Sequence, residues 1–280
     1  MKSNHLLSIF LSGFILVLVT SCKKSPDISI NQRSGADNAL ASNLFMDVFL
    51  QVDEAAKNEA AVNKTEGLYT LASSVCANIS VTTSSGNYPV SLEIDFGNGC
   101  LGSDGRFRKG KIKAVFSGRY TDIGTQVSIS LDNYFVNGYR IEGTKTILNK
   151  GTNAAGFFET SILVSGGKVV SPEKDSVEWN CDQLREWVSG DTSYQDISDD
   201  TYFITGSSTG INANREPFSA TIKEALKIEA SCKWPLQGKL SLVAQNNTEV
   251  EVDYAPDGIA SCNQSAAIII NGKRYNFTMY

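Results

Sequence analysis

From about residue 66 to the C-terminus, apolar and polar residues alternate in short runs that end on glycine, asparagine or aspartate. Lys111-Ile112-Lys113-Ala114-Val115-Phe116, Val127-Ser128-Ile129-Ser130-Leu131, Glu249-Val250-Glu251-Val252-Asp253-Tyr254 and Ala267-Ile268-Ile269-Ile270 are examples. A period of two belongs to strands that bury one face, and the turn residues between them close hairpins. Only a short turn near Asp182 to Trp187 competes with this pattern. The sequence therefore predicts a mainly β fold, an antiparallel sandwich or β-roll of roughly ten to twelve strands preceded by one amphipathic helix.

That helix is expected over residues 38–62. Leu40, Leu44, Phe45, Val48, Val52, Ala55 and Ala56 recur at spacings of three and four, with Asp47, Gln51, Glu54 and Lys57 between them. Its apolar stripe is expected to pack on the β-domain that spans residues 66–280. Within that domain Asp132-Asn133-Tyr134-Phe135-Val136-Asn137-Gly138 is similar to Asp200-Thr201-Tyr202-Phe203-Ile204-Thr205-Gly206, and Glu93-Ile94-Asp95-Phe96 to Glu251-Val252-Asp253-Tyr254. The two pairs are nested rather than tandem, which suits one continuous β-structure better than two successive domains.

Residues 1–21 read as a signal peptide. One cation, Lys2, precedes an apolar run from Leu6 to Val19 that is shorter than the roughly 20 residues a spanning helix needs. Val19-Thr20-Ser21-Cys22 resembles the lipobox of bacterial lipoproteins. The resemblance implies that Cys22 becomes the first mature residue and carries lipid, including an amide-linked palmitate or similar acyl chain, so that the membrane is held through the N-terminus. Residues 22–37 are polar, with Pro26 and Gly35, and read as a flexible tether. Lys23 follows the cysteine, and by resemblance to lipoprotein sorting this favours the outer membrane, with the periplasmic and surface faces both open.

Composition excludes whole classes of chemistry. The sole histidine of the chain is His5, inside the signal segment. A mature protein without histidine has no Ser-His or Cys-His catalytic pair, no His-ligated metal and no imidazole acid or base. With 25 Lys and Arg against 30 Asp and Glu, the chain also lacks the basic excess of nucleic-acid binders, so no nucleic-acid partner is expected.

Five cysteines remain after Cys22, in an exported chain where disulfides persist. Directly opposed residues of a hairpin lie symmetrically about its turn. The midpoint of Cys76 and Cys100 is 88, beside Ser85-Gly86-Asn87-Tyr88, and that of Cys232 and Cys262 is 247, inside Gln245-Asn246-Asn247-Thr248. Bridges 76–100 and 232–262 are predicted, with Cys181 either a free thiol or an alternative partner for Cys232. No CxxC spacing occurs, so no metal site is expected of the cysteines.

Four groups of residues are candidate sites. Asp95, Asn98 and Asp104 offer oxygen ligands in a glycine-rich loop, a set a calcium ion accepts, although tight turns select the same residues. Asp95-Phe96-Gly97-Asn98-Gly99 also resembles the signature of PKD-type immunoglobulin-like modules, over these five residues alone. Arg106, Arg108 and Lys109, with Lys111 and Lys113, form a basic run that could meet phosphates or an acidic polysaccharide. Asp191, Asp196, Asp199 and Asp200 form an acidic loop, read as solvated; Asp199, Asp200 and Asp95 are the carboxylates on which glycan hydrolysis would have to depend. Trp179, Trp187 and Trp234 are core residues or stacking faces for sugars.

Ile94-Asp95-Phe96-Gly97-Asn98-Gly99-Cys100, Asp104-Gly105-Arg106, Asn137-Gly138-Tyr139-Arg140-Ile141-Glu142-Gly143 and Cys232-Lys233-Trp234 together resemble Bacteroidetes-type lipoproteins of an uncharacterised β-rich family. The resemblance implies an exported β-rich lipoprotein and assigns no catalytic residue. The expected function is an envelope-anchored, non-catalytic protein that needs no cofactor and binds a glycan or an envelope protein. A carboxylate-dependent glycan hydrolase and a fimbrial or adhesin subunit are the alternatives.

Overall fold

The computed structural model describes residues 26–58, 69–72, 76–84, 87–190, 197–245 and 248–279. The signal segment, Cys22, and Asp191, Asp196 and Tyr194 of the acidic loop lie outside the described residues.

The described chain is one helix and fifteen strands. Helix α1 spans Pro26–Asn58. The strands β1 (Tyr69–Ala72), β2 (Asn78–Ser84), β3 (Asn87–Asp95), β4 (Cys100–Leu101), β5 (Phe107–Phe116), β6 (Gln126–Val136), β7 (Tyr139–Thr152) and β8 (Phe158–Val170) follow. Then come β9 (Ser176–Ser189), β10 (Thr201–Ile211), β11 (Pro217–Glu229), β12 (Gln237–Ala244), β13 (Glu249–Asp253), β14 (Ser265–Ile270) and β15 (Lys273–Thr278). Each strand pairs antiparallel with the next in one sheet, except that β4 pairs β5 alongside the path from β3 to β5. The mainly β, antiparallel chain with one helix ahead of it is as the sequence predicts. The strands form a single continuous sheet rather than two stacked ones.

The sheet curls about the helix. Helix residues bond to strands far apart in the sheet order: Asp47 to Arg108 on β5, Asn38 to Trp179 on β9 and Ser208 on β10, and Gln32 to the Asn276 carbonyl on β15. The inward residues of strands as distant as β2 (Ile79, Val81) and β14 (Ala266, Ile268) share one core with Phe45, Val48, Phe49 and Val52 of the helix. Alternation then does what period two requires. On β5, Ile112, Ala114 and Phe116 point in, while Lys113 and Val115 lie outside.

The helix begins twelve residues before the expected start at 38, so Pro26–Asp37, read from their polarity as tether, are helical. Pro26 sits at the first helical position, where its missing N–H costs nothing and its fixed φ is already helical. Two of the polar side chains that suggested a tether have partners on the sheet. Ser34 accepts from Asn212 Nδ2 at 3.0 Å, and Asp37 accepts from the Ala213 backbone N–H at 2.8 Å and from Arg33 at 2.9 Å. Gly35 lies against Ile268, 3.3 Å from where a Cβ would stand. For the same reason the face carrying Asp47, Gln51 and Lys57 is buried rather than solvated.

A bulge aims one side chain at the helix. Between Ser130 and Tyr134 the pairing of β6 slips, with Asn133 at φ 48°, and the slip turns Tyr134 inward. Gly110 on β5 packs against this bulge so closely that a Cβ would lie 1.9 Å from the Asn133 carbonyl oxygen, and its φ of 84° is one that glycine alone adopts cheaply.

Both disulfides are formed, Cys76–Cys100 and Cys232–Cys262, each with Cα atoms 5.7 Å apart. They join the segments just outside the open ends of the β2–β3 and β12–β13 hairpins, close to where the midpoint argument puts them. Cys181 on β9 is a free, buried thiol.

Candidate functional site

Three polar clusters line the contact between α1 and the sheet, and they absorb most of the residues picked out in the sequence. The first is built on Asp47. Arg106 and Arg108 both reach it, Arg106 Nη1 at 2.6 Å and Arg108 Nε at 3.1 Å, and the Tyr134 hydroxyl donates to it at 3.0 Å. Burial alone would raise the Asp47 carboxyl, but the two guanidinium groups outweigh it and hold its pKa below the ordinary carboxylate range. Asp104 caps the cluster from the solvent side, accepting from Arg108 Nη2 at 2.6 Å.

This corrects two expectations. Arg106 and Arg108 are not an exposed basic patch, because strand alternation on β5 puts them indoors against a buried aspartate. Of the rest of the run, Lys109 stands over the Phe135 ring, Lys111 pairs with Glu93 and Asp95 at 2.7 and 3.0 Å, and Lys113 pairs with Asp132 at 2.9 Å. Nor are Asp95, Asn98 and Asp104 a calcium loop. Asp95 accepts from the Gly97 N–H and faces Lys111, Asp104 faces Arg108, and Asn98 is an exposed turn residue. Among the described residues no cluster of three or more His, Cys, Asp or Glu could hold a metal ion.

The second cluster joins the C-terminal end of α1 to β10. Lys57 lies 3.2 Å from Asp53 and 2.7 Å from Asp200, above the Trp187 ring at 4.0 Å, and the Tyr202 hydroxyl donates to Asp200 at 2.6 Å. Asp53 also accepts from the Tyr120 hydroxyl. Asp200 was expected in a solvated loop. It is fully buried, because it enters β10 beside Tyr202 with its side chain turned toward the helix, whereas its neighbour Asp199 is exposed in a single 3-10 turn, Ile197–Asp199. Burial pushes the Asp200 carboxyl up, only partly offset by Lys57 and Tyr202. The matching segments 132–138 and 200–206 thus share a role: Tyr134 and Tyr202 each turn inward to a cluster built on a helix aspartate, Asp47 in one and Asp53 in the other. Asp132 differs from Asp200 in facing outward to Lys113.

The third cluster surrounds Asn38, whose side-chain oxygen accepts from Trp179 Nε1 at 2.9 Å and from Ser208 at 2.8 Å. Trp179 is buried and stacks on Phe45, ring centroids 5.5 Å apart, so it belongs to the core. Trp187 is half-buried under Lys57 and edge-on to Phe158.

Trp179 and Trp234 both border a cavity, Trp179 from β9 and Trp234 from the loop that follows β11. This cavity, about 30 Å³, lies between α1 and the loop that the Cys232–Cys262 bridge pins over the end of β11. Met46 comes from the helix, Lys145 and Cys181 from β7 and β9, and Lys233, Trp234 and Pro235 from the loop. The volume suits about two water molecules. Trp234 Nε1 is buried there with no hydrogen-bond partner among the described residues. Lys145 is 4% exposed, and its amine donates to the Phe45 carbonyl at 2.8 Å. Burial, with Arg185 nearby, brings its pKa down to about 7, and burial pushes the Cys181 thiol up to about 11.

Set against protein-family models, curated proteins and solved structures, the chain matches none. The argument about function therefore rests on these clusters.

Lys145 and Asp53 carry no signal of their own in the sequence, where Asp47 and Lys57 read only as the polar face of the helix and Lys233 only as part of Cys232-Lys233-Trp234. A cation among apolar neighbours on a strand, as in Thr144-Lys145-Thr146-Ile147, reads as an outward residue. The one available signal is parity, since Lys145 shares the phase of Ile141 and Ile147, all three being buried.

Proposed function

We propose that this is a lipoprotein of the bacterial envelope, anchored by acylation of Cys22 and bound to the outer membrane, and that its β-domain binds a glycan without turning it over. The lipobox-like Val19-Thr20-Ser21-Cys22 behind a short apolar run supports the anchor. The cleft under the Cys232–Cys262 loop is the observation that carries the binding reading. It combines an indole, two amines and the side-chain amide of Gln183, the mix of stacking face and hydrogen-bonding groups by which sugars are held. A bridge holding the loop in place lowers the ordering cost of binding there.

The carboxylates that a hydrolase would need do not converge. Asp95 on β3 pairs with Lys111, and Asp200 on β10 pairs with Lys57, with five strands of the sheet between them. Each has a second carboxylate close by, Glu93 beside Asp95 and Asp53 beside Asp200, but a lysine amine bridges each pair, and Asp53 and Asp200 are buried against the helix.

The test is a glycan array probed with the purified full chain, together with incubation on a panel of envelope and dietary-type polysaccharides. Retention without turnover, weakened by Trp234→Ala, is the expected result. Turnover abolished by Asp200→Asn or Asp95→Asn would replace this reading with the hydrolase, and an array without retention would leave a protein partner as the ligand.

A further inference from the structure

The cleft holds an electrostatic imbalance. Lys145 and Lys233 both line it, Arg185 lies close enough to Lys145 to repel it, and no carboxylate is among the lining residues. Lys145 is deeply buried, and the only acceptor its amine meets among the described residues is the Phe45 carbonyl. Three other buried cations at the helix have an aspartate, Arg106 and Arg108 sharing Asp47 and Lys57 having Asp53 and Asp200, whereas Arg185, also buried, rests on the Phe49 ring. A buried ammonium without an anion is expensive, and the expense is removed either by losing a proton or by gaining an anion. The Trp234 indole N–H, of a residue that lines the same cavity, is also buried and meets no acceptor among the described residues.

We propose that this cleft is a carboxylate site, in which Lys145 and the Trp234 indole N–H grip the carboxylate of an acidic sugar. The proposal rests on the glycan reading above and names the class of sugar. The size agrees, because a cavity with room for about two waters admits a carboxylate and leaves the sugar ring at the mouth, beside Lys233. The groups facing Lys145 are Cys181 and Arg185 of β9 and the Phe45 carbonyl of α1. Cys181, pushed up to about 11, stays a neutral thiol over the range in which Lys145, brought down to about 7, changes charge. An anion therefore binds more tightly as pH falls through that range.

Titration calorimetry of the full chain in detergent, with sodium glucuronate, sodium acetate and glucose as the three probes, tests this. Glucuronate and acetate are expected to bind and glucose to fail. Affinity for glucuronate should fall about tenfold between pH 6 and 8.5, and by at least about tenfold in Lys145→Met, the loss expected when a charge-assisted hydrogen bond goes. Lys145→Met keeps the buried volume and removes the buried charge, so the fold tolerates it. Trp234→Phe, which removes only the N–H and part of the ring, should weaken binding several-fold. Binding of acetate without glucuronate would overturn the acidic sugar in favour of a free small carboxylate. No binding by either, or equal binding by wild type and Lys145→Met, would overturn the site. Retention of neutral glycans on the array alongside that last result would leave the glycan reading standing while this inference falls; binding of glucuronate with an empty array would do the reverse.

Discussion

Asp47 shows what a single residue does in this molecule. It is the sole acid that two buried guanidinium groups and a buried phenol share from the helix side, so its removal leaves Arg106 and Arg108 with only the part-exposed Asp104 as counter-charge. Asp47→Ala should lower the unfolding free energy by about 3 to 5 kcal/mol, the usual cost of breaking a buried ion pair from one side, as read by urea denaturation. The pH dependence has a definite sign. A carboxyl whose folded pKa lies below its unfolded value contributes stability that is present above the unfolded value, about 3.9, and is lost as pH falls through the folded one. Wild type should therefore lose stability steeply below about pH 4, with a shallower acid limb in Asp47→Asn; parallel limbs would show that Asp47 is not the group responsible. Cys181 gives a second expectation at this scale. Buried and held as a thiol, it should resist alkylation at pH 8 in the native protein and react in denaturant, as scored on its own peptide by mass spectrometry. Rapid native labelling would mean that the trough opens.

At the scale of elements, period two made the strands legible and a period of 3.6 made only part of the helix legible. Leu40 to Ala56 announced themselves through apolar spacing, whereas Pro26–Asp37 did not, because Ser34 and Asp37 are held there by hydrogen bonds from Asn212 and Ala213, which no local pattern records. The clusters were hidden for the same reason. Arg106 and Arg108 look like surface charge until Asp47, some sixty positions away, is placed opposite them. The bridges were legible because hairpin symmetry is a local rule, and they too carry an expectation. The Cys232–Cys262 link closes a loop with a sequence separation of 30, worth roughly 3 to 4 kcal/mol by chain entropy. Cys232→Ala with Cys262→Ala should lower the melting temperature and, by freeing the loop that bears Lys233 and Trp234, weaken the cleft more than it weakens Asp47's cluster. Unchanged ligand affinity in that double variant would show that the loop is held by packing alone.

For the whole molecule, the early start of the helix decides how the protein would meet a membrane under the proposed acylation of Cys22. If Cys22 carries lipid, Pro26 follows only four positions later, and four extended residues reach at most about 14 Å. A domain on a long leash would sample all orientations, whereas one joined this closely presents a fixed end. That end is recognisable: Arg33 lies 3.9 Å from Asp175 in the β8–β9 turn, and Asp37 accepts from Ala213 in the β10–β11 turn. The opposite end carries Tyr120, Trp187 and Asp200 around Asp53 and Lys57. Fluorophores placed singly at Lys174 and Asn214, both in turns at the helix's starting end, should be quenched by headgroup-attached quenchers in reconstituted vesicles. Labels at Ile123 and Ala155, in the β5–β6 and β7–β8 turns that the antiparallel order sends to the other end, should be quenched several-fold less. Cys22→Ser should abolish the difference by releasing the protein from the vesicle, and it should also lose labelling by a palmitate analogue in cells. Equal quenching at all four positions in acylated protein would mean that the domain tumbles freely on its lipid, and the helix would then have no part in orienting the cleft.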